Sequence, residues 1–369
     1  MKKHKINVAN KLCNTKHLVA PLVRVFGILA IANTLSLAFL IMYPSFLTIR
    51  IIYNFNTIFI PIVLIPLSAF LYVSSRGIHR ETGRHHSAIA MGIIGITLVT
   101  ARIYCTHIEP SCLRIRLVTL PCANLTKPLT LLHCTDIQSA EIGKYEKRAF
   151  EKIMEINPDI IIHTGDMLQP QPPATMKSEL PKLATLFESL HPPLGIYGVY
   201  GDVDGEIRRM KLPNIGGMIL LDNESFTINT GHAQINILGL TSHKRGNTES
   251  EDKSLITDWL KKTREDEITV LIGHSPDFVL LLDDKKIDLC LAGHTHGGQI
   301  RVPFFGAILT LSKIPRAIAR GFHKYENTCL NVSAGIGSEH AYGVPPIRFN
   351  CPPEMTLIKL VPESEGNTL

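Results

Sequence analysis

DIIIHTGDM, Asp159 to Met167, sets three isoleucines in a row ahead of a Gly-Asp pair. Consecutive β-branched residues closed by a glycine read as a buried strand, and Asp166 stands where that strand ends. Two further runs have the same form. PLTLLHCTDIQ carries Asp136 and Gln138 past its apolar residues, and LGIYGVYGD carries Asp202. Between them lie KYEKRAFEKIMEI and KSELPKLATLFESL, apolar at helical spacing, and a QPQPP loop at Gln169 to Pro173. Strands and helices therefore alternate, and each strand ends in an aspartate. In an open α/β sheet the groups at the carboxyl ends of neighbouring strands converge on one crevice. Asp136, Asp166 and Asp202 would meet there, and three close carboxylates need a cation.

The VYGDVDGEI stretch, Val199 to Ile207, would pass alone for an acidic turn. The later sequence argues otherwise. LIGHSPD places His274 after an apolar run, and LCLAGHTHGGQI places His294 and His296 after another. Gly293, Gly297 and Gly298 allow the turn that would bring two histidines two residues apart onto one centre. Three strand-end aspartates with three such histidines read as a two-metal site. His163 alternates away from the metal face and reads as core.

From about Pro128 onward these motifs, in this order, resemble the calcineurin-like metallophosphoesterases. VSAGIG followed by PPIRFNCPPEMTLIKL is similar to the membrane-associated branch of that family. The resemblance implies an α/β fold, a four-layer α/β/β/α sandwich, and two divalent metal ions. It implies that Asp136 binds the first ion, that Asp166 bridges, that Asp202, His274 and His294 bind the second, and that His296 returns to the first. Asp166, Asp202 and His294 would be catalytic. Such a metal pair stabilises the entering and departing oxygens of an in-line phosphoryl displacement.

Three positions depart from the family pattern. Gln138 stands where a histidine is usual, and as a metal ligand it would coordinate through its carbonyl oxygen, more weakly and as a harder donor; Asp202 stands where asparagine is common, and Val203 where a proton-donating histidine often follows. Three carboxylates against two divalent ions leave about +1 on the site, where the common pattern leaves about +2. The added oxygen character favours Mn²⁺ over Zn²⁺. A valine cannot protonate a leaving group, so a phosphate leaving group, which departs unprotonated near neutral pH, suits the site better than an alkoxide. A dead scaffold that kept the fold is the non-enzymatic alternative.

The N-terminal third has a different texture. Val25 to Tyr43 and Phe55 to Ser74 are uncharged and each long enough to span a bilayer; Ser87 to Ala101 is shorter. Lys2, Lys3, Lys5, Lys11, Lys16 and Arg24 precede the first stretch without an acid, which puts the N-terminus in the cytoplasm, and Arg76, Arg80 and Arg84 fall on the same side. The chain divides at this level into a membrane region of two or three helices, residues 1–106, and a metallophosphoesterase domain, residues 107–369. The formal net charge of +6 belongs largely to that N-terminus and argues for membrane orientation rather than a nucleic-acid partner. Eight scattered cysteines contain no CxxC pair.

The resemblance implies a nucleotide diphosphate glycolipid, UDP-2,3-diacylglucosamine, as substrate, and an enzyme of the bacterial inner membrane with its catalytic domain in the cytoplasm. Three full spans would instead place the domain outside, as an exported enzyme acting on other cell-envelope phosphates. Both readings stand on sequence. Arg208, Arg209, Lys313 and Arg316 are candidates for holding the substrate. KIPRAIARGFHK, Lys313 to Lys324, reads as a basic surface helix or a bilayer contact, and Phe304 and Phe305 as an acyl-chain wall or core aromatics.

Overall fold

A computed structural model describes residues 27–366 apart from 30, 37, 41, 44, 76–81, 242–248 and 341–342. The basic residues Lys2 to Arg24, and Arg76 and Arg80, lie outside the described residues, as does part of the first apolar stretch. The chain divides into two compact units, Met1–Thr106 with Ala341–Pro345, and His107–His340 with Pro346–Leu369.

In the first unit, helix α1 (Phe46–Asn54) runs through a π-helical turn (Phe55–Phe59) into α2 (Ile60–Ser74), and α3 is Thr82–Ile103. Two helical stretches, Leu47–Ser74 with 28 residues and His85–Ser111 with 27, are long and apolar enough to cross a membrane. The third apolar stretch thus belongs to a longer helix than its own residues define. Helices α2 and α3 pack through small residues. A Cβ at Gly92 would lie 2.8 Å from Ser68 Oγ, and one at Gly95 would lie 2.7 Å from Ile65 Cγ1. Arg102 is tied between the helices, donating to Asn54 Oδ1 at 3.1 Å and Thr57 Oγ1 at 2.9 Å.

The second unit holds two mixed six-stranded sheets. The first has the order β1 (Arg114–Cys122), β14 (Glu354–Pro362), β2 (Leu129–Cys134), β3 (Ile160–His163), β4 (Ile196–Gly198), β5 (Ile219–Leu220). The second has the order β12 (Gly321–Tyr325), β13 (Thr328–Val332), β9 (Leu289–Ala292), β8 (Glu267–Gly273), β7 (Gln234–Leu240), β6 (Glu224–Asn229). A two-stranded hairpin, β10 (Arg301–Val302) and β11 (Gly306–Ala307), stands apart from both. Strands β2, β3 and β4 are parallel neighbours, as are β7, β8 and β9.

The three isoleucines of β3 explain the layering. Ile160 and Ile162 join a core shared with Ile235, Ile237, Val270 and Leu291 of the second sheet. Ile161 points the other way, into a core with helices α4 (Lys144–Ile156) and α5 (Met176–Glu188). A strand buried on both faces has to be apolar throughout, which is why this run does not alternate. Helix α4 buries Ala149, Phe150 and Ile153, is capped by Glu146 accepting from the Gly143 amide, and ends at Asn157 in the left-handed region. Helix α5 buries Met176, Leu180, Leu183 and Phe187 at helical spacing. A third core packs Leu238, Leu271 and Cys290 on the far face of the second sheet against Ile256 and Trp259 of α7 (Glu249–Lys262).

Lys313 to Lys324 is a short 3-10 turn (Arg316–Ile318) followed by β12, not a helix. Ile314 and Ala319 are buried and Arg320 pairs with the buried Glu354 at 2.5 Å, so the segment has no free apolar face. Phe304 and Phe305, at the tip of the β10–β11 hairpin, are exposed rather than core.

Gly165, at the end of β3, has φ +93°, and a Cβ there would fall 2.5 Å from the Gly201 amide nitrogen. Gly165→Ala is expected to lower unfolding free energy by about 2 kcal/mol or more, with a matching fall in thermal midpoint by calorimetry.

Candidate metal centre

The loops that follow β2, β3, β4, β8 and β9 form the site. Of the seven residues with metal-ligand chemistry, Asp136, Gln138, Asp166, His294 and His296 all take positive φ, between 39° and 68°. Non-glycine residues rarely adopt that backbone, and its concentration here marks a strained, overdetermined site. The turn between His294 and His296 is therefore made by the histidines themselves as well as by Gly297 and Gly298. Gly293 has another purpose: a Cβ there would lie 2.3 Å from Asp136 Oδ2.

Main-chain bonds join the loops. Asp136 N donates to Gly165 O at 2.9 Å, Gln138 N to Asp166 O at 2.9 Å, and Gly293 N to His274 O at 2.9 Å. Across the two sheets, His294 N lies 3.2 Å from both carboxylate oxygens of Asp136.

The side chains gather as two overlapping groups. Ligand atoms of Asp136, Asp166 and His274 lie within 4.8 Å of one another, and so do those of Asp202, His274 and His294. His274 Nε2 is 3.1 Å from Asp166 Oδ2 without hydrogen-bond alignment, and it has no other partner. His294 Nδ1 lies 3.4 Å from Asp202 Oδ2, and His296 Nε2 lies 3.6 Å from Asp136 Oδ1. The two groups share His274. The unpartnered His274 Nε2, facing a carboxylate, and the two overlapping ligand groups fit a pair of divalent cations.

Bonds to the opposite ring nitrogens fix the tautomers. His274 Nδ1 donates to Thr164 O at 2.9 Å, which turns Nε2 toward Asp166. His294 Nε2 donates to Leu311 O at 3.1 Å, which turns Nδ1 toward Asp202. Such supporting bonds orient histidine ligands and raise their basicity.

Two supports escaped sequence reading. Asp204, the second aspartate of the GDVDGE run, is wholly buried and accepts from Asp166 N and Met167 N at 2.8 Å and Gly201 N at 2.7 Å. A side chain that accepts three amides from two loops positions Asp166, and its spacing one residue from a loop glycine was the available signal. His133 is the other. Its Nδ1 accepts from Asn331 Nδ2 at 2.7 Å and its Nε2 donates to Thr164 Oγ1 at 2.9 Å. The chain of contacts runs from β13 through β2 to the residue that orients His274.

Charge follows burial. Burial pushes the Asp136 carboxyl up to about 7, with His274 opposing it. Burial would also raise Asp166, but His274 beside it holds its carboxyl well below the usual range. Burial, with the charge of Asp166, pushes Asp204 up to about 6. Burial alone would lower His274, yet Asp166, Asp136 and Asp202 outweigh it and hold the imidazole up at about 10, so a cation binding at Nε2 has to displace a proton there. Burial pushes His133 and His163 down to about 3, and His163 sits edge-on to Phe187 in the core.

Three of the proposed substrate residues have protein partners of their own. Arg208 pairs with Asp222 at 2.9 Å, Lys313 with Glu249 at 2.6 Å, and Arg316 lies over the Phe305 ring at 5.6 Å. Arg209 is exposed on α6 (Gly205–Met210).

This fold and this centre define a metal-dependent phosphoesterase. Residues 129–298 match the calcineurin-like phosphoesterase family. An uncharacterized metallophosphoesterase of Bacillus subtilis, YkoQ, is 28% identical over 240 residues, 62% of this chain and 83% of its own. The Escherichia coli phosphodiesterase YaeI is 26% identical over 214 residues, 56% of this chain and 72% of its own. The UDP-2,3-diacylglucosamine pyrophosphatase LpxG of Chlamydia trachomatis is 25% identical over 325 residues, 71% of this chain and 93% of its own. These likenesses are of one order, so they leave the substrate open.

The ordinary histidine value of 6.5 applies to His133 in the unfolded chain, against about 3 when folded. The unfolded chain therefore takes up a proton that the folded domain refuses, and stability falls as pH drops from 6.5 toward 3. His133→Gln is expected to remove about 2 kcal/mol of the loss that the natural protein shows between about pH 6.5 and pH 4.5 in urea unfolding.

Proposed function

We propose that the protein is a membrane-associated, metal-dependent hydrolase that splits the diphosphate of UDP-2,3-diacylglucosamine into UMP and 2,3-diacylglucosamine 1-phosphate. The observation that carries this reading is Val203. Its amide donates to Asp166 Oδ1 at 2.9 Å, which fixes its place beside the metal group, and its side chain has no proton to give. The N–H groups of His274 and His294 are already committed to Thr164 and Leu311. A sugar phosphate can depart from a diphosphate without protonation, whereas an alkoxide departing from a simple ester is far slower without a proton donor.

Asp136, Asp166, Asp202, His274, His294 and His296 would hold two divalent ions, with Mn²⁺ favoured by the oxygen-rich set. Bound there, the ions supply a nucleophile at neutral pH and neutralise charge on the phosphoryl oxygens. The chain's own contribution is rigidity. Asp204 fixes Asp166, and Thr164 and Leu311 fix the two histidine rings, so the ligand set needs no reorganisation when substrate arrives.

Two features support a lipid substrate. Phe304 is 112% exposed and Phe305 63% exposed at the tip of the β10–β11 hairpin, and Leu311, whose carbonyl holds His294, is itself 46% exposed. An apolar tip of this kind on a domain tethered to apolar helices suits acyl chains. If Leu47–Ser74 and His85–Ser111 are the two crossings, the chain returns to the side from which it entered. With a cytoplasmic N-terminus the domain is then cytoplasmic, where a nucleotide-linked lipid precursor is found. The second reading, an exported enzyme acting on other envelope phosphates, follows if the first apolar stretch also crosses. Protease treatment of intact spheroplasts separates the two, because only an external domain is digested.

The detergent-purified protein with Mn²⁺ in oxygen-18 water is expected to convert UDP-2,3-diacylglucosamine to labelled UMP, followed by mass spectrometry. A simple alkyl phosphodiester is expected to turn over at least about 100-fold more slowly. Asp166→Asn should abolish both. Comparable rates on the two substrates would remove the diphosphate reading.

A further inference from the structure

We propose that Gln138 presents its side-chain oxygen to the metal centre and that Glu339 is the residue that turns it there, an inference that rests on the metal-dependent reading of the site. Gln138 is wholly buried, two residues after Asp136, with its main-chain amide on Asp166 O. Its side-chain amide could point either way about the terminal bond, and only one arrangement is allowed by its neighbour. Nε2 donates to Glu339 Oε2 at 3.1 Å. A carboxylate accepts and does not donate, so the NH₂ end is bound to Glu339 and the carbonyl end faces elsewhere. That carbonyl oxygen is buried and has no hydrogen-bond partner. An unpaired buried acceptor costs about 1 to 3 kcal/mol. A cation held by Asp136 removes that cost.

Glu339 is itself held in place. Its Oε1 accepts from Gln169 Nε2 at 3.0 Å, and its main-chain amide donates to Gln299 Oε1 at 2.7 Å. Gln169 completes the arrangement by accepting from the His340 amide at 3.1 Å. Three glutamines from three separate loops thus fix one glutamate, and the glutamate fixes the orientation of one of them. Nothing in the hydrolytic reading uses Glu339. Its effect is on the choice of metal. A neutral amide oxygen is a harder ligand than an imidazole nitrogen, so the oriented Gln138 favours Mn²⁺ or Mg²⁺ over Zn²⁺ at the Asp136 end of the site. A rotated amide would offer that ion an NH₂ group, which cannot bind it.

The test is direct metal binding by the full-length, metal-stripped protein in detergent, with Mn²⁺ and Zn²⁺ titrated separately by calorimetry and bound ions counted by mass spectrometry. Glu339→Ala is expected to weaken Mn²⁺ at one of two sites by about 10-fold or more, the scale of lost support to a ligand. Gln138→His should shift the preference toward Zn²⁺. Adding Glu339→Ala to Gln138→His should then change affinity by no more than about 2-fold, because an imidazole does not need the glutamate to choose its ligand atom. An equal loss in both backgrounds would show that Glu339 only holds the loop, and no loss in either would overturn the proposal outright. Should Glu339→Ala fail to fold, Glu339→Gln carries the same test, since it keeps an acceptor for only one of the two amides; Mn²⁺ affinity equal to the natural protein's overturns the proposal. A natural protein that binds no divalent ion would sink the metal-dependent reading itself, a different failure from an unaffected variant.

Discussion

The site depends on one buried carboxylate that touches no cation of the protein. Asp204 accepts three main-chain amides, two from the loop after β3 and one from the loop after β4. Those amides have no other partners in that position, so a charged acceptor among them satisfies all three at once. Through them Asp204 sets the left-handed turn at Asp166, and Asp166 in turn accepts from Val203 and faces His274. Placing a second negative group so near Asp166 is unfavourable in itself, which is why Asp204 binds its proton more tightly than an ordinary aspartate. Divalent cations would offset that repulsion, so the scaffold and the ligands it holds depend on the same ions.

Much of this was legible in the chain. A run such as Ile160 to Ile162 has no polar face to turn to water, so it had to lie between two layers, and the turn residues after it had to stand at a strand end. The same logic placed Asp136, Asp202, His274 and His294. What could not be read were contacts between residues far apart in sequence. Glu339 reaches Gln138 across 201 positions and Asn331 reaches His133 across 198, and no periodicity connects such pairs. Lys313 to Lys324 misled for a related reason. Its charges have helical spacing, yet Arg320 is drawn inward by Glu354, a partner 34 residues later, and the chain extends to form β12.

The histidines divide by the same principle. His274 and His294 each turn one ring nitrogen toward a carboxylate, Asp166 and Asp202 respectively. His133 and His163 are kept uncharged by burial, and at His163 the charges of His274 and Asp166 oppose one another. Four rings of one residue type within a few strands therefore serve two purposes, and the neighbouring charge decides which. His133 shows how the two connect, since a ring that never faces the metals still sets the position of Thr164 and so of His274.

The last strand of the first sheet comes from the end of the chain. β14 lies between β1 and β2, parallel to one and antiparallel to the other, so neither of those strands has its inner partner until residues 354–362 arrive. During synthesis the apolar helices emerge first, and the unpaired edges of β1 and β2 wait through more than two hundred residues of growing chain. Early delivery of those helices to a bilayer would keep one waiting chain apart from the next and so limit edge-to-edge association before the sheet closes.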